Sequence, residues 1–155
     1  MDIVNISKDE LIDITINLID KNLPLVSNLA NLSKLLYDSF SGTNWCGFYI
    51  CYENKNIMYL GPFQGPIACT EIPFSKGVCG KAVTSKKSIL VPNVHNFIGH
   101  IACCSSTNSE VVVPIMKGSK VLGVIDLDSN NFNNYTNDDV LLLENIANLI
   151  STIFN

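Results

Sequence analysis

The chain has 155 residues, 47% of them hydrophobic and 15% charged, with a net charge of −4. That composition predicts one self-sufficient domain and excludes disorder as the main state. The basic residues are all lysines, which argues against a nucleic-acid surface and removes any guanidinium grip on a carboxylate. The acidic opening Met1–Glu10 has no basic stretch leading into an apolar run, so no export signal is expected. No apolar run approaches the ~20 residues of a membrane-spanning helix. A cytoplasmic location with reduced thiols is the resulting expectation.

The first predicted helix opens on Ser7, with Glu10 three residues on as a capping box, and runs to about Lys21. Pro24 suits the first turn of a second helix, whose Leu29, Leu32, Leu35 and Leu36 follow helical spacing to about Phe40. Trp45–Tyr52 reads as a strand, 53–56 as a turn, and Ile57–Leu60 as the hairpin partner. Cys69–Ile72 is a short strand, Gly77–Ser85 a short helix and Ser88–Val91 another short strand. Pro92–Ser109 lacks periodicity and carries both histidines, which predicts an ordered loop. Glu110–Lys117 and Lys120–Asp128 flank the turn Gly118-Ser119. A closing helix over Tyr135–Phe154 takes Thr136 as its N-cap. The order predicts an α+β fold: one antiparallel sheet, terminal helices on one face and a loop-roofed pocket on the other. Residues 1–155 are taken as one domain.

Six cysteines are many for a reducing compartment. Cys46 and Cys51, five apart on one strand, point to opposite faces and read as small apolar fillers. Cys69, Cys79, Cys103 and Cys104 lie in the central segment. Their spacing contains no C-x2-C pair, so zinc is disfavoured and no metal is expected. A Cys103–His100 pair for acyl transfer lacks an identifiable oxyanion hole. Redox chemistry with an attacking and a resolving thiol is the third option, and a cluster of thiols on one segment suits it. Asp126 and Asp128 share a face of their strand, and Glu110 falls near Asp128 if the last two strands pair around Gly118-Ser119. Such a trio would repel, so at least one carboxyl should hold its proton unusually well.

Six motifs occur in order: Gly61-Pro62-Phe63-Gln64-Gly65 through Ala68-Cys69; Gly77-Val78-Cys79-Gly80; Val91-Pro92-Asn93-Val94-His95; Gly99-His100-Ile101-Ala102-Cys103; Ser109-Glu110 through Ile115; and Gly123-Val124-Ile125-Asp126-Leu127-Asp128-Ser129. Together they resemble the free methionine-(R)-sulfoxide reductases, which are single GAF-type domains. The resemblance implies Cys103 as the nucleophile, Cys69 as its resolving partner and Cys79 as a third thiol able to join the exchange. It implies Trp45 packing on the substrate methyl and Glu110, Asp126 and Asp128 holding the substrate; Tyr49 and His100 complete the expected binding set. The chain departs from the family pattern at Cys104 and Asn93, where Asp is usual, and at Ile98, which replaces a proline.

The resemblance implies a reaction whose chemistry can be stated. Glu110 and Asp128 are expected to act at the sulfoxide oxygen, directly or through water, and Asp126 to favour the substrate ammonium. Cys103 takes the oxygen as a sulfenic acid, Cys69 condenses with it, and a thioredoxin-type dithiol reduces the disulfide. No cofactor is required. With arginine absent, the substrate carboxylate should meet backbone N–H groups of the central loop. The expected partners are free methionine-(R)-sulfoxide and the reductant, with no nucleic acid or membrane; a homodimer is left open. The competing reading is a GAF regulatory domain that binds a small ligand or senses redox state.

Overall fold

The structure is a computed structural model that describes residues 6–101, 103 and 105–154. Cys104 therefore lies outside the described residues. Four α-helices occur: α1 (Lys8–Leu18), α2 (Leu25–Ser39), α3 (Gly77–Ser85) and α4 (Asn137–Ser151). The strands are β1 (Thr43–Tyr52), β2 (Ile57–Gln64), β3 (Glu71–Pro73), β4 (Ile89–Val91), β5 (Ser109–Lys117) and β6 (Lys120–Ser129). They form one antiparallel sheet in the order β3-β2-β1-β6-β5-β4. The α+β architecture matches the expectation from sequence.

Strand alternation sorts the side chains onto two faces. Phe48, Val111, Val113, Ile125 and Leu127 pack against Leu29, Leu32 and Leu36 of α2 and Leu143, Ile146 and Ile150 of α4. Each such fully buried aliphatic contributes roughly 1.5–3 kcal/mol. Trp45, Tyr49, Val112 and Val124 face the other way, under Val78, Ala82 and Val83 of α3. The terminal helices thus cover one face, and α3 with the central loops roofs the other.

The predicted capping box forms at α1, and the predicted N-cap Thr136 forms a second one at α4. Ser7 caps α1 with Glu10, and Thr136 caps α4 with Asp139. Helix α1 stops three residues before its predicted end. The side chain of Asn28 there accepts from the Asp20 N–H and donates to the Asp20 carbonyl, at 2.9 Å each, and so holds the connection in an extended turn. Pro24 stands at the N-cap of α2 and not inside it.

Strand β2 runs four residues beyond the predicted Leu60. A bulge between Gly47 and Tyr49 lets Phe63 and Gln64 pair with Gly47 and Cys46. Pro62 is tolerated because β3 pairs only with Ile57–Tyr59, so this half of β2 is an edge. The short strand predicted at Cys69–Ile72 is displaced to Glu71–Pro73, which leaves Cys69 in irregular chain at the roof. The loop predicted over Pro92–Ser109 contains a 3₁₀ turn at Val94–Asn96, started by the Asn93 side chain, and its last residue, Ser109, belongs to β5.

Cys46 is buried on the helix side, and Cys51 is half-buried on the opposite face. Burial pushes the Cys46 thiol well above its ordinary range and the Cys51 thiol up to about 12, so both resist forming the reactive thiolate.

Candidate active site

Strand register builds the floor. Glu110 of β5 pairs with Asp128 of β6, and Val112 pairs with Asp126. On the other side of β6, Trp45 pairs with Asp128 and Gly47 with Asp126. Trp45, Glu110, Asp126 and Asp128 therefore share one face of three adjacent strands.

The Trp45 ring stacks between Phe63 (5.4 Å between centroids) and Tyr49 (6.0 Å). Gly47 makes this possible, because a Cβ there would lie 2.6 Å from the edge of the indole. Gly65 has a left-handed backbone with φ of 115° where the roof loop crosses Asn44 and Trp45.

Two aromatic donors from β1 hold that loop. The Trp45 indole N–H donates to the Pro66 carbonyl at 3.1 Å, and the Tyr49 hydroxyl donates to the Cys69 carbonyl at 2.9 Å. Cys69 is joined to Cys103 by a disulfide with the Cα atoms 5.5 Å apart. The bond straps the 65–70 loop to Cys103 across the top of the cavity.

The cavity beneath is lined by Trp45, Tyr49, Ala68, Ile72, Gly77, Val78, Cys79, His100, Ile101, Cys103, Thr107, Glu110, Asp126 and Asp128, with Ile67 at the rim. Its enclosed volume is about 30 Å³. That is space for a few waters, against several hundred Å³ for a typical ligand pocket. With the disulfide closed, the roof lies down on the floor.

Glu110, Asp126, Cys79 and His100 are each displaced toward their neutral forms. Burial pushes the Glu110 carboxyl well above the usual carboxylate range, and the Asp128 charge pushes the same way. Burial does the same to Asp126, reinforced by Glu110. The Cys79 thiol donates to Asp126 Oδ2 at 3.4 Å, and burial, then the Asp126 charge, raises it well above its ordinary value. His100 Nε2 lies 3.3 Å from Glu110 Oε2. Burial lowers the His100 pKa and raises that of Glu110, so both groups resist charging where they meet. Asp126 Oδ1 is buried without a hydrogen-bond partner.

All nine residues singled out from sequence meet around this cavity or its disulfide strap. Among the described residues Cys79 is a free thiol, and its hydrogen bond goes to Asp126. Sequence reasoning missed Thr107, a buried threonine of the loop between Cys103 and Glu110 that also lines the cavity. Its only signal was position, on the short link between two motif residues. The described Cys79, Glu110 and Asp126 bring one sulfur and two carboxylate oxygens within 4.8 Å of one another. A thiophilic cation could use such donors, but the direct Cys79–Asp126 hydrogen bond already joins two of them.

The GAF-domain family model matches residues 29–155. The chain is 40% identical to the free methionine-R-sulfoxide reductase of Saccharomyces cerevisiae, over 95% of this chain and 87% of the yeast protein. It is 44% identical to the Escherichia coli protein of the same name, over 74% of this chain and 68% of that one. A solved structure of the Neisseria meningitidis free methionine-R-sulfoxide reductase in complex with its substrate superposes with a TM-score of 0.91 at 33% identity, covering 99% of this chain and 96% of the other. No helix among the described residues is long and apolar enough to cross a membrane. An acidic, aromatic-walled cavity strapped by a disulfide, on a GAF sheet, thus coincides with strong likeness over nearly the whole sequence: the chain belongs to the free methionine-R-sulfoxide reductase family of GAF domains.

Proposed function

We propose that this protein reduces free methionine-(R)-sulfoxide to methionine at the Cys103 cavity. The observation that carries this reading is the Cys69–Cys103 disulfide placed over a floor of Glu110, Asp126 and Asp128. A sulfoxide sulfur accepts a thiol only once its oxygen is protonated or strongly hydrogen-bonded. Glu110, kept neutral by burial and by Asp128 opposite, is suited to supply that proton. Asp126 offers an unpartnered Oδ1 to the substrate ammonium. Trp45 packs against the methyl group, with Tyr49 and His100 completing the wall.

In the first step Cys103 attacks the sulfur and the oxygen passes to the cysteine. Methionine leaves and Cys103 becomes a sulfenic acid. The Cys69 thiol then displaces the sulfenic hydroxyl as water, which forms the Cys69–Cys103 disulfide. A thioredoxin-type dithiol returns both cysteines to thiols and becomes a disulfide itself, so no bound cofactor takes part. Cys79 serves as a reserve thiol for exchange. Such a cycle belongs in a reducing compartment, which favours the cytoplasm.

The test incubates the protein with dithiothreitol and racemic methionine sulfoxide. The expected result is consumption of the R epimer alone, with none by Cys103→Ser. Absence of turnover by the wild type would favour the ligand-sensing alternative.

A further inference from the structure

Thr107 is 4% exposed, and its Oγ1 has no hydrogen-bond partner. Buried hydroxyls are rarely left so, and a ligand is one way to complete them. Among the described residues only three buried side-chain oxygens lack a partner: those of Asn44, Thr107 and Asp126. Of these residues, Thr107 and Asp126 line the cavity.

A free amino acid brings an ammonium and a carboxylate. Asp126 Oδ1 suits the first. The second finds no cation, because the chain has no arginine and no lysine stands among the described lining residues. It must be met by neutral donors, and most of those are taken. The Trp45 indole and the Tyr49 hydroxyl are given to backbone carbonyls, the Cys79 thiol to Asp126, and His100 faces Glu110. The amide of Cys103 already donates to the Ile101 carbonyl. Thr107 is the side-chain donor that remains.

A second feature converges on the same place. Helix α3 starts at Gly77, and Lys76 at its N-cap provides no side-chain hydrogen bond. Gly77 and Val78, in its first turn, line the cavity. First-turn amides have no partner within their helix and favour an anion.

We propose that Thr107 binds the α-carboxylate of the substrate, its hydroxyl acting with the uncapped amino end of α3; this rests on the reading of the chain as a free methionine-(R)-sulfoxide reductase. The contact accounts for selection of the free amino acid. A peptide-bound residue replaces the carboxylate with a neutral amide, and its chain continues into the wall.

The experiment compares wild type, Thr107→Val and Thr107→Ser on methionine-(R)-sulfoxide and on its carboxamide. Thr107→Val is expected to raise KM for the amino acid about tenfold or more, with kcat little changed. On the carboxamide it should match the wild type, and Thr107→Ser should restore the wild-type KM. The thermal midpoint of Thr107→Val should equal or exceed the wild type, because the substitution removes an unpaired hydroxyl and no existing hydrogen bond. An unchanged KM in Thr107→Val, or an equal loss on both substrates, would overturn the proposal and leave the reductase reading intact. Failure of the wild type to turn over the sulfoxide would overturn both.

Discussion

Glu110 and Asp128 face each other across the β5–β6 ladder, on the side of the sheet that carries the cavity. Two carboxyls in that relation disfavour double ionisation. Glu110 is the deeper of the pair, at 6% exposed, so burial decides that it is the one pushed toward the acid form. The register that creates this arrangement is fixed by the two-residue turn Gly118-Ser119 and by the apolar residues between, which must all face the helices. A slip of one residue would bury Leu127 in the cavity and turn both acids into the core.

Replacing Asp128 by Asn should lower kcat by about 10²-fold while leaving the fold intact. It also removes the charge that raises Glu110, so activity should decline with pH at lower pH than in the wild type. The pH profile of kcat, read beside a thermal melt, checks both parts. The same shift has a stability consequence. A carboxyl with a raised folded pKa contributes stability below its ordinary range and loses it as pH rises through the folded value. Glu110→Gln should therefore gain stability over the wild type as pH rises above the ordinary carboxyl range. Equal pH dependence of unfolding in the two proteins would remove Glu110 from this account.

The strands, the Ser7–Glu10 capping box and the Thr136 N-cap were legible from local pattern, such as the β-branched run Val111–Val113 and Ser7 three residues before Glu10, whereas the nine site residues were named chiefly through the family resemblance that the ordered motifs carry. Thr107 was not legible, since nothing local distinguishes a buried loop threonine from an exposed one. The extension of β2 through Pro62 was hidden for a similar reason. A proline argues against a strand until it is known that β3 ends short of it. The anchoring of Cys69 by Tyr49 joins residues twenty apart in sequence through a backbone carbonyl, which leaves no trace in side-chain pattern.

That anchor leads to a prediction on resolution. Cys69→Ser should release a single equivalent of methionine per chain and then stop, with Cys103 trapped as a sulfenic acid that a dimedone-type reagent labels. Tyr49→Phe keeps every thiol but frees the loop that carries Cys69. It should perform the first step at near wild-type rate and form the Cys69–Cys103 disulfide more slowly, so labelling of Cys103 lasts longer. Mass mapping after one turnover checks both variants. A disulfide forming as fast in Tyr49→Phe as in the wild type would show that the hydrogen bond does not position Cys69.

Trp45 is the only tryptophan of the chain, so its emission reports on the cavity alone. Adding methionine sulfoxide to Cys103→Ser, which binds without turnover and cannot close the strap, should change that emission saturably. The oxidised wild type should respond far less, because its closed roof leaves only about 30 Å³ above the acids. Gly47→Ala supplies the control. Its new methyl would meet the indole edge and Phe63, which must displace the ring or the strand. This variant should show altered emission before any ligand is added and a KM raised by about tenfold, as expected for loss of an apolar contact on the substrate methyl. If oxidised and Cys103→Ser proteins responded alike, the strap would not control access to the cavity.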